Sequence, residues 1–214
     1  MKYKNERGRS MVEMLGVLAI IGVLSAGALA GYSKAMTQHR LNKHTQEISY
    51  LLATVIFNAD KLKEGSDDMI DELRALNAYT WPIEIKSTSS QQYVLDSFHN
   101  NLFFENHAKH GGGYAIEVEL IQSDFMPKIC YNYINVFKNL AQDLDMIYAV
   151  KRKSGKRERD TYAGKTCTTG RCLKSMTNTD IINLCQRACE GSDSCSLYAL
   201  WDYPASTVAN LLGQ

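Results

Sequence analysis

GRSMVEMLGVLAIIGVLSAGALAGY, residues 8–32, decides how the rest of the chain is read. Between positions 11 and 31 it carries one ionisable side chain, Glu13. As a helix those residues rise about 31 Å, enough to cross a bilayer core of about 30 Å. A removable secretory signal would be shorter and would close on a small-residue cleavage site. Here apolar and small residues continue into Lys34, Ala35 and Met36 without a helix breaker. The stretch therefore reads as a membrane helix that stays joined to the polar chain beyond it.

On its N-terminal side lies a polar leader, residues 1–8, with Lys2, Lys4 and Arg7 and a closing Gly8; Glu13 comes five residues later. A carboxylate at bilayer depth costs about 2.5–3.5 kcal/mol at a helix centre, so such an acid usually has a partner. Ser10 and Glu13 also fit an S-x-x-E capping box at the start of a helix, the simpler reading of the same residues. Glycine, spacing and apolar run together resemble the prepilin leader of type IV pilins and pseudopilins. The resemblance implies that a prepilin peptidase cuts between Gly8 and Arg9. It makes Glu13 the fifth residue of the mature chain, paired with the new amino terminus of a neighbouring subunit. The family usually has phenylalanine, methionine or leucine at the first mature position, where this chain has Arg9. The resemblance also places N-methylation at Arg9, on a residue type the family does not usually carry there.

Outward from the leader, 214 residues less about 30 for leader and membrane leave one domain of about 180, large enough to bury roughly 70% of its chain surface. The formal charge is +1, and residues 1–8 carry a net +2, so the mature chain stands at −1 and is no general nucleic-acid binder. Lys2, Lys4, Arg7 and Arg9 precede the apolar run, against Lys34, Arg40 and Lys43 after it, which places the N-terminus in the cytoplasm.

No glycine or proline interrupts the chain from Tyr32 to Gly65. The helix is therefore expected to continue to about Leu62, with a stripe of Leu41, Thr45, Ile48, Leu52, Val55, Ala59 and Leu62 against which a sheet can pack. His39, Arg40, Lys43, His44, Gln46 and Glu47 fall on the other sides, a solvated face rather than a metal pair. A short helix is expected after Ser66, through about Leu76, and residues 86–92 read as polar loop. Strands are expected at 93–95, 102–105 and 114–121, the last alternating Ala115, Glu117 and Glu119 with Ile116, Val118 and Leu120, in a half-exposed antiparallel meander. Gly111, Gly112 and Gly113 permit a turn, and His107 and His110 beside them read as surface loop.

A helix is expected from Met126-Pro127 to about Leu140, then a strand at 146–150 with a return at 161–163. Between them lie Lys151, Arg152, Lys153, Lys156, Arg157 and Arg159, read as a solvated hairpin tip or, more sharply, as a contact for DNA, an anionic surface or an acidic patch of another subunit. Further on, Asn178 or Thr179 is expected to cap a helix to about Glu190, and 196–201 reads as the last strand, with a short apolar tail after it.

Cys130, Cys167, Cys172, Cys185, Cys189 and Cys195 all lie beyond the membrane run. An even number on the exported side reads as disulfides; zinc is the rival, and the loose spacings disfavour it. Fifteen pairings are possible. Cys167 and Cys172 flank a loop short enough to close locally, whereas Cys185 and Cys189 share a helix face and should bond elsewhere. The order of strands, proline and cysteine-opened helix after Val94 is similar to the type IVb branch, although His99-Asn100 stands where that branch has glycines. The likeness implies Cys130 with Cys189, leaving Cys185 with Cys195.

The expected fold is thus α+β, type IV pilin-like: leader 1–8, membrane half-helix 9–32 and exported head 33–214, with the helix at 33–62 and a disulfide-bonded region at 165–200. No G-x-S-x-G, H-E-x-x-H or P-loop is present, so no enzyme, cofactor or metal is expected. The resemblance implies a structural subunit, stored in the bacterial inner membrane with its head in the periplasm and assembled into a surface pilus or periplasmic pseudopilus. Its partners would be other pilin subunits, prepilin peptidase and an assembly platform driven by a secretion ATPase. The six cysteines tilt the expectation toward a minor or specialised pilin. The rival is an anchored periplasmic binding or adhesion module that does not polymerise.

Overall fold

A computed structural model of the protein describes residues 7–61, 69–80, 84–87, 92–106 and 112–212. The chain divides into two units, Met1–Asn42 and Lys43–Gln214. Helix α1, Arg7–Phe57, belongs to both, and a 3-10 turn, Ala59–Lys61, comes after it. Leu62, where the helix was expected to end, lies outside the described residues, as do His107, His110 and Gly111.

The first unit is helix throughout its described length. The backbone is helical from Arg7 through Ser10 and Glu13. Met11, Val12, Leu15, Leu18, Ile21 and Leu24 are half to three-quarters exposed. The most apolar window of the helix has a mean hydropathy of 2.2 with none of it buried, long and apolar enough to cross a membrane.

In the second unit α1 contributes Ile48, Leu51, Leu52 and Val55 to the core, with Thr45 half-buried. Two expectations for this helix are corrected. His44 and Glu47, placed on the solvated face, are 0% and 5% exposed. The stripe of steps 44, 48, 51 and 55 is as good a helical face as the one through 45, 48, 52 and 55, and both are buried.

Helix α2 is Met69–Ala75. Next come strands β1, Ile85–Ser87, β2, Gln92–Leu95, β3, Asn101–Asn106, and β4, Tyr114–Leu120. Residues 85–87 are therefore an edge strand rather than the start of a polar loop, in register Ile85 with Val94 and Ser87 with Gln92. A short, polar outermost strand has too little apolar alternation to show in the sequence, and its polarity suits an edge. Helix α3 is Met126–Asn139, opened by its proline; β5, Met146–Lys153, and β6, Lys156–Ala163, form a hairpin. Helix α4 is Asn178–Cys189, β7 is Ser194–Trp201 and α5 is Ala205–Leu212. The cap of α4 is Thr177, one residue earlier than expected, in a reciprocal box with Asp180.

The sheet order is β1-β2-β3-β4-β7-β5-β6, and every neighbouring pair is antiparallel. The last strand of the chain thus enters between β4 and β5, pairing along its length with both. Its run SCSLYALW is buried from Cys195 to Trp201, as a strand with neighbours on both edges and cover on both faces must be. Gly113 lets β4 start close against it: a β-carbon there would lie 2.2 Å from the Trp201 carbonyl oxygen. Helices α3 and α4 contact one face of the sheet. On the other, α5 sets Val208 against Ala115, Met146, Val150, Tyr198 and Leu200, so the apolar tail is a docked helix.

Three disulfides close the head: Cys130–Cys185, Cys167–Cys172 and Cys189–Cys195. The pairing implied by the type IVb likeness, Cys130 with Cys189 and Cys185 with Cys195, is corrected. Cys189 ends α4 and sits six residues before Cys195, across a single turn into β7. One helical turn earlier, Cys185 faces α3 and meets Cys130 in its second turn.

Candidate functional site

Gly8 and Arg9 lie in the first turn of α1, and the Glu13 side chain is exposed on the same helix within a sleeve of exposed apolar residues. A carboxylate placed among lipid costs free energy unless a polar group meets it.

A second polar centre, missed in the sequence, lies inside the head. The turn after β2 carries Asp96, 4% exposed. Its Oδ1 accepts the backbone N–H of Phe98 and of Asn100, both at 2.8 Å. Its Oδ2 accepts from Asn100 Nδ2 and the Tyr133 hydroxyl, again at 2.8 Å, and lies 2.8 Å from His44 Nε2. A carboxylate can only accept, so His44 holds its proton on Nε2. Burial by itself would raise the Asp96 carboxyl, but the His44 hydrogen bond and charge, with the side-chain and backbone hydrogen bonds from Asn100, outweigh it and hold the group below the usual range. Burial and the Asp96 charge push the Tyr133 phenol well above its ordinary value. The His44 ring packs edge-on to Phe98 and Tyr133, with centroids 5.0 and 5.3 Å away. The node therefore ties α1, the β2–β3 turn and α3 together. Its sequence signal was His44 on an apolar helical face, which reads as solvated when no partner is in view.

The third feature is the cationic segment. It is a hairpin with longer strands than expected: β5 and β6 run to a two-residue turn, Ser154 and Gly155, with φ of 50° and 76°. Both residues are left-handed, the geometry that matches strand twist in a tight hairpin. Lys151 Nζ donates to the carbonyls of Arg187 and Glu190 at the end of α4, 3.0 and 3.2 Å away, where a cation suits the helix dipole. The Arg159 guanidinium lies 4.3 Å from the centre of the Tyr148 ring, itself stacked on Tyr198 at 4.3 Å. Burial pushes the Tyr148 phenol up to about 12, with the Arg159 charge opposing. Asp160 receives Arg171 at 3.0 Å and Arg187 at 3.3 Å. Arg152, Lys153, Lys156 and Arg157 differ: among the described residues none of them forms an ion pair. Cross-strand register sets Arg152 opposite Arg157 and Lys153 opposite Lys156.

No protein-family model and no curated protein sequence matches this chain. Among solved structures, the chain is similar to a type IVb pilin from Salmonella typhi, at 10% identity and a TM-score of 0.45 over 75% of this chain and 98% of that one.

Proposed function

We propose that this chain is a type IV pilin-like structural subunit, trimmed after Gly8 and polymerised through its N-terminal helix. The observation that carries the reading is the first unit: a bare apolar helix with no cover of its own, entered through a glycine and bearing one acid at the fifth position beyond it. Lipid satisfies such a helix in storage and neighbouring helices satisfy it in a filament, so transfer between the two exposes no apolar surface to water. The new amino terminus at Arg9 meets Glu13 of an adjacent subunit and neutralises both inside the bundle. Residues 9–32 are the membrane half and 33–214 the exported head, where three disulfides suit an oxidising compartment.

Two measurements test this. Co-expression with a prepilin peptidase should lower the mass by residues 1–8, and Gly8→Ala should abolish the change. Glu13→Gln, correctly trimmed, should enter fibres at a small fraction of the original yield. An untrimmed chain that forms no fibres would instead be a membrane-anchored binding or adhesion module.

A further inference from the structure

We infer that the tip of the β5–β6 hairpin docks on the acidic part of the same sheet face in a second copy of this chain, an inference that rests on the polymerising role proposed for it. Residues 151–159 carry a net +5, so the remainder of a mature chain at −1 carries −6. Part of that excess lies on the sheet. In an antiparallel sheet, residues directly opposite share a face, and the registers place Glu119, Ser196, Val150 and Arg159 in one such row. Glu117 occupies the next row, with Tyr198 and Tyr148, and Arg152 and Arg157 lie one row beyond Arg159 on the same side. One face of one sheet is thus acidic over β3–β4 and basic at the far corner.

The two ends do not neutralise each other within the chain. From β4 to β6 is three strand spacings, about 14 Å, well beyond ion-pair reach and beyond the screening length of about 8 Å at physiological salt. Glu119 accepts a hydrogen bond from Asn101 and Glu117 one from Tyr198, but among the described residues neither has a salt bridge. At the tip, two like-charged pairs stand directly opposite each other, an arrangement that destabilises a hairpin. Asp193 reaches the turn, its Oδ2 accepting the Ser154 backbone N–H at 2.6 Å, but among the described residues it forms no ion pair with these cations. The turn and the ladder fix these cations on a rigid frame, so little side-chain and backbone freedom is lost on contact.

A long polyanion is a poorer fit. DNA laid along this face would meet Glu117 and Glu119 on the same surface as Arg152 and Arg157, and the mature chain as a whole is anionic. A second copy offers matching charge at both ends. Because the basic and acidic patches are distinct surfaces, the contact is free to repeat head to tail, as an open assembly requires.

The test uses full-length protein in detergent, mixed from ordinary and 15N-labelled batches, and a carbodiimide that joins lysine to carboxylate. With Arg152→Lys, which keeps the charge and puts a lysine on the docking face, mixed-isotope peptides linking that lysine to Glu117 or Glu119 are expected, falling at least fivefold between 50 and 500 mM salt. Adding Arg157→Glu should cut their yield more than fivefold while leaving the lysine in place, and it sets opposite charges across the hairpin and so favours its fold. Links confined to one isotope, or yields unmoved by these changes, would overturn the contact. So would loss of binding to a 20-base-pair duplex in the double variant with self-linking intact, since the partner would then be nucleic acid. Fibre counts on the same variants separate the two ideas. Normal fibres without mixed links sink the contact and spare the polymerising role, and mixed links without fibres under any condition do the reverse.

Discussion

The two units of this chain solve the same problem in opposite ways. The head buries its own apolar residues: Ile48, Leu51, Val118, Phe137 and Leu197 are all 0–1% exposed, and three disulfides cross-link the region. The residues of α1 from 11 to 31 bury nothing, although they are the most apolar part of the sequence. Apolar surface of that extent left bare marks a segment whose proper surroundings are other molecules. The folded core belongs to the head and the bare apolar surface to the helix, and a change in the helix should leave the stability of the head alone.

The hardest blow to the head is removal of its longest crosslink. Cys130→Ser with Cys185→Ser frees a loop of 55 residues and should cost about 4 kcal/mol in the chain-entropy model, against about 2 for Cys167→Ser with Cys172→Ser. Thermal melts of the two double variants measure the difference; equal losses would mean that loop length does not govern the effect. Non-reducing peptide mapping should find Cys130 linked to Cys185.

Asp96 comes next. Asp96→Ala strips partners from His44, Asn100 and Tyr133 at once and should cost about 3 kcal/mol, as leaving buried donors without their acceptor does. The native carboxyl titrates below its unfolded value, so its stabilisation is complete above that value of about 3.9 and is lost as pH falls through the folded one. Urea midpoints should therefore drop below about pH 4 more steeply in the native head than in Asp96→Asn.

Ile21→Arg probes the other side of the comparison. At mid-helix it should oppose membrane insertion by about 3 kcal/mol, read as a shift from the membrane to the soluble fraction, with the melt of the head unchanged. A shift in that melt would break the separation of roles. The smallest effect expected is at the hairpin turn, where Gly155→Ala keeps a left-handed φ of 76° and should cost about 1 kcal/mol by the same melt.

Much of this was legible because the signals are local. The apolar segment shows as composition, and β3, β4, α3 and α4 show as periods of two or 3.6 with their caps and breakers. The short β1 was not legible, since Ile85, Lys86 and Ser87 carry no alternation of their own and are strand only because β2 lies beside them. His44 escaped for a related reason: a histidine on a helix face looks the same whether Asp96 waits 52 residues away or water does.

By itself the sequence determined that a bare apolar helix with one acid precedes a cysteine-rich α+β head, because hydropathy and chain breakers act over a few residues. Only the tertiary structure decided that β7 enters the middle of the sheet, that Cys185 rather than Cys189 reaches Cys130, and that Glu117 and Glu119 share one face with three arginines. Those are contacts between residues far apart in the chain, and they are set by which surfaces pack together, which no local pattern encodes.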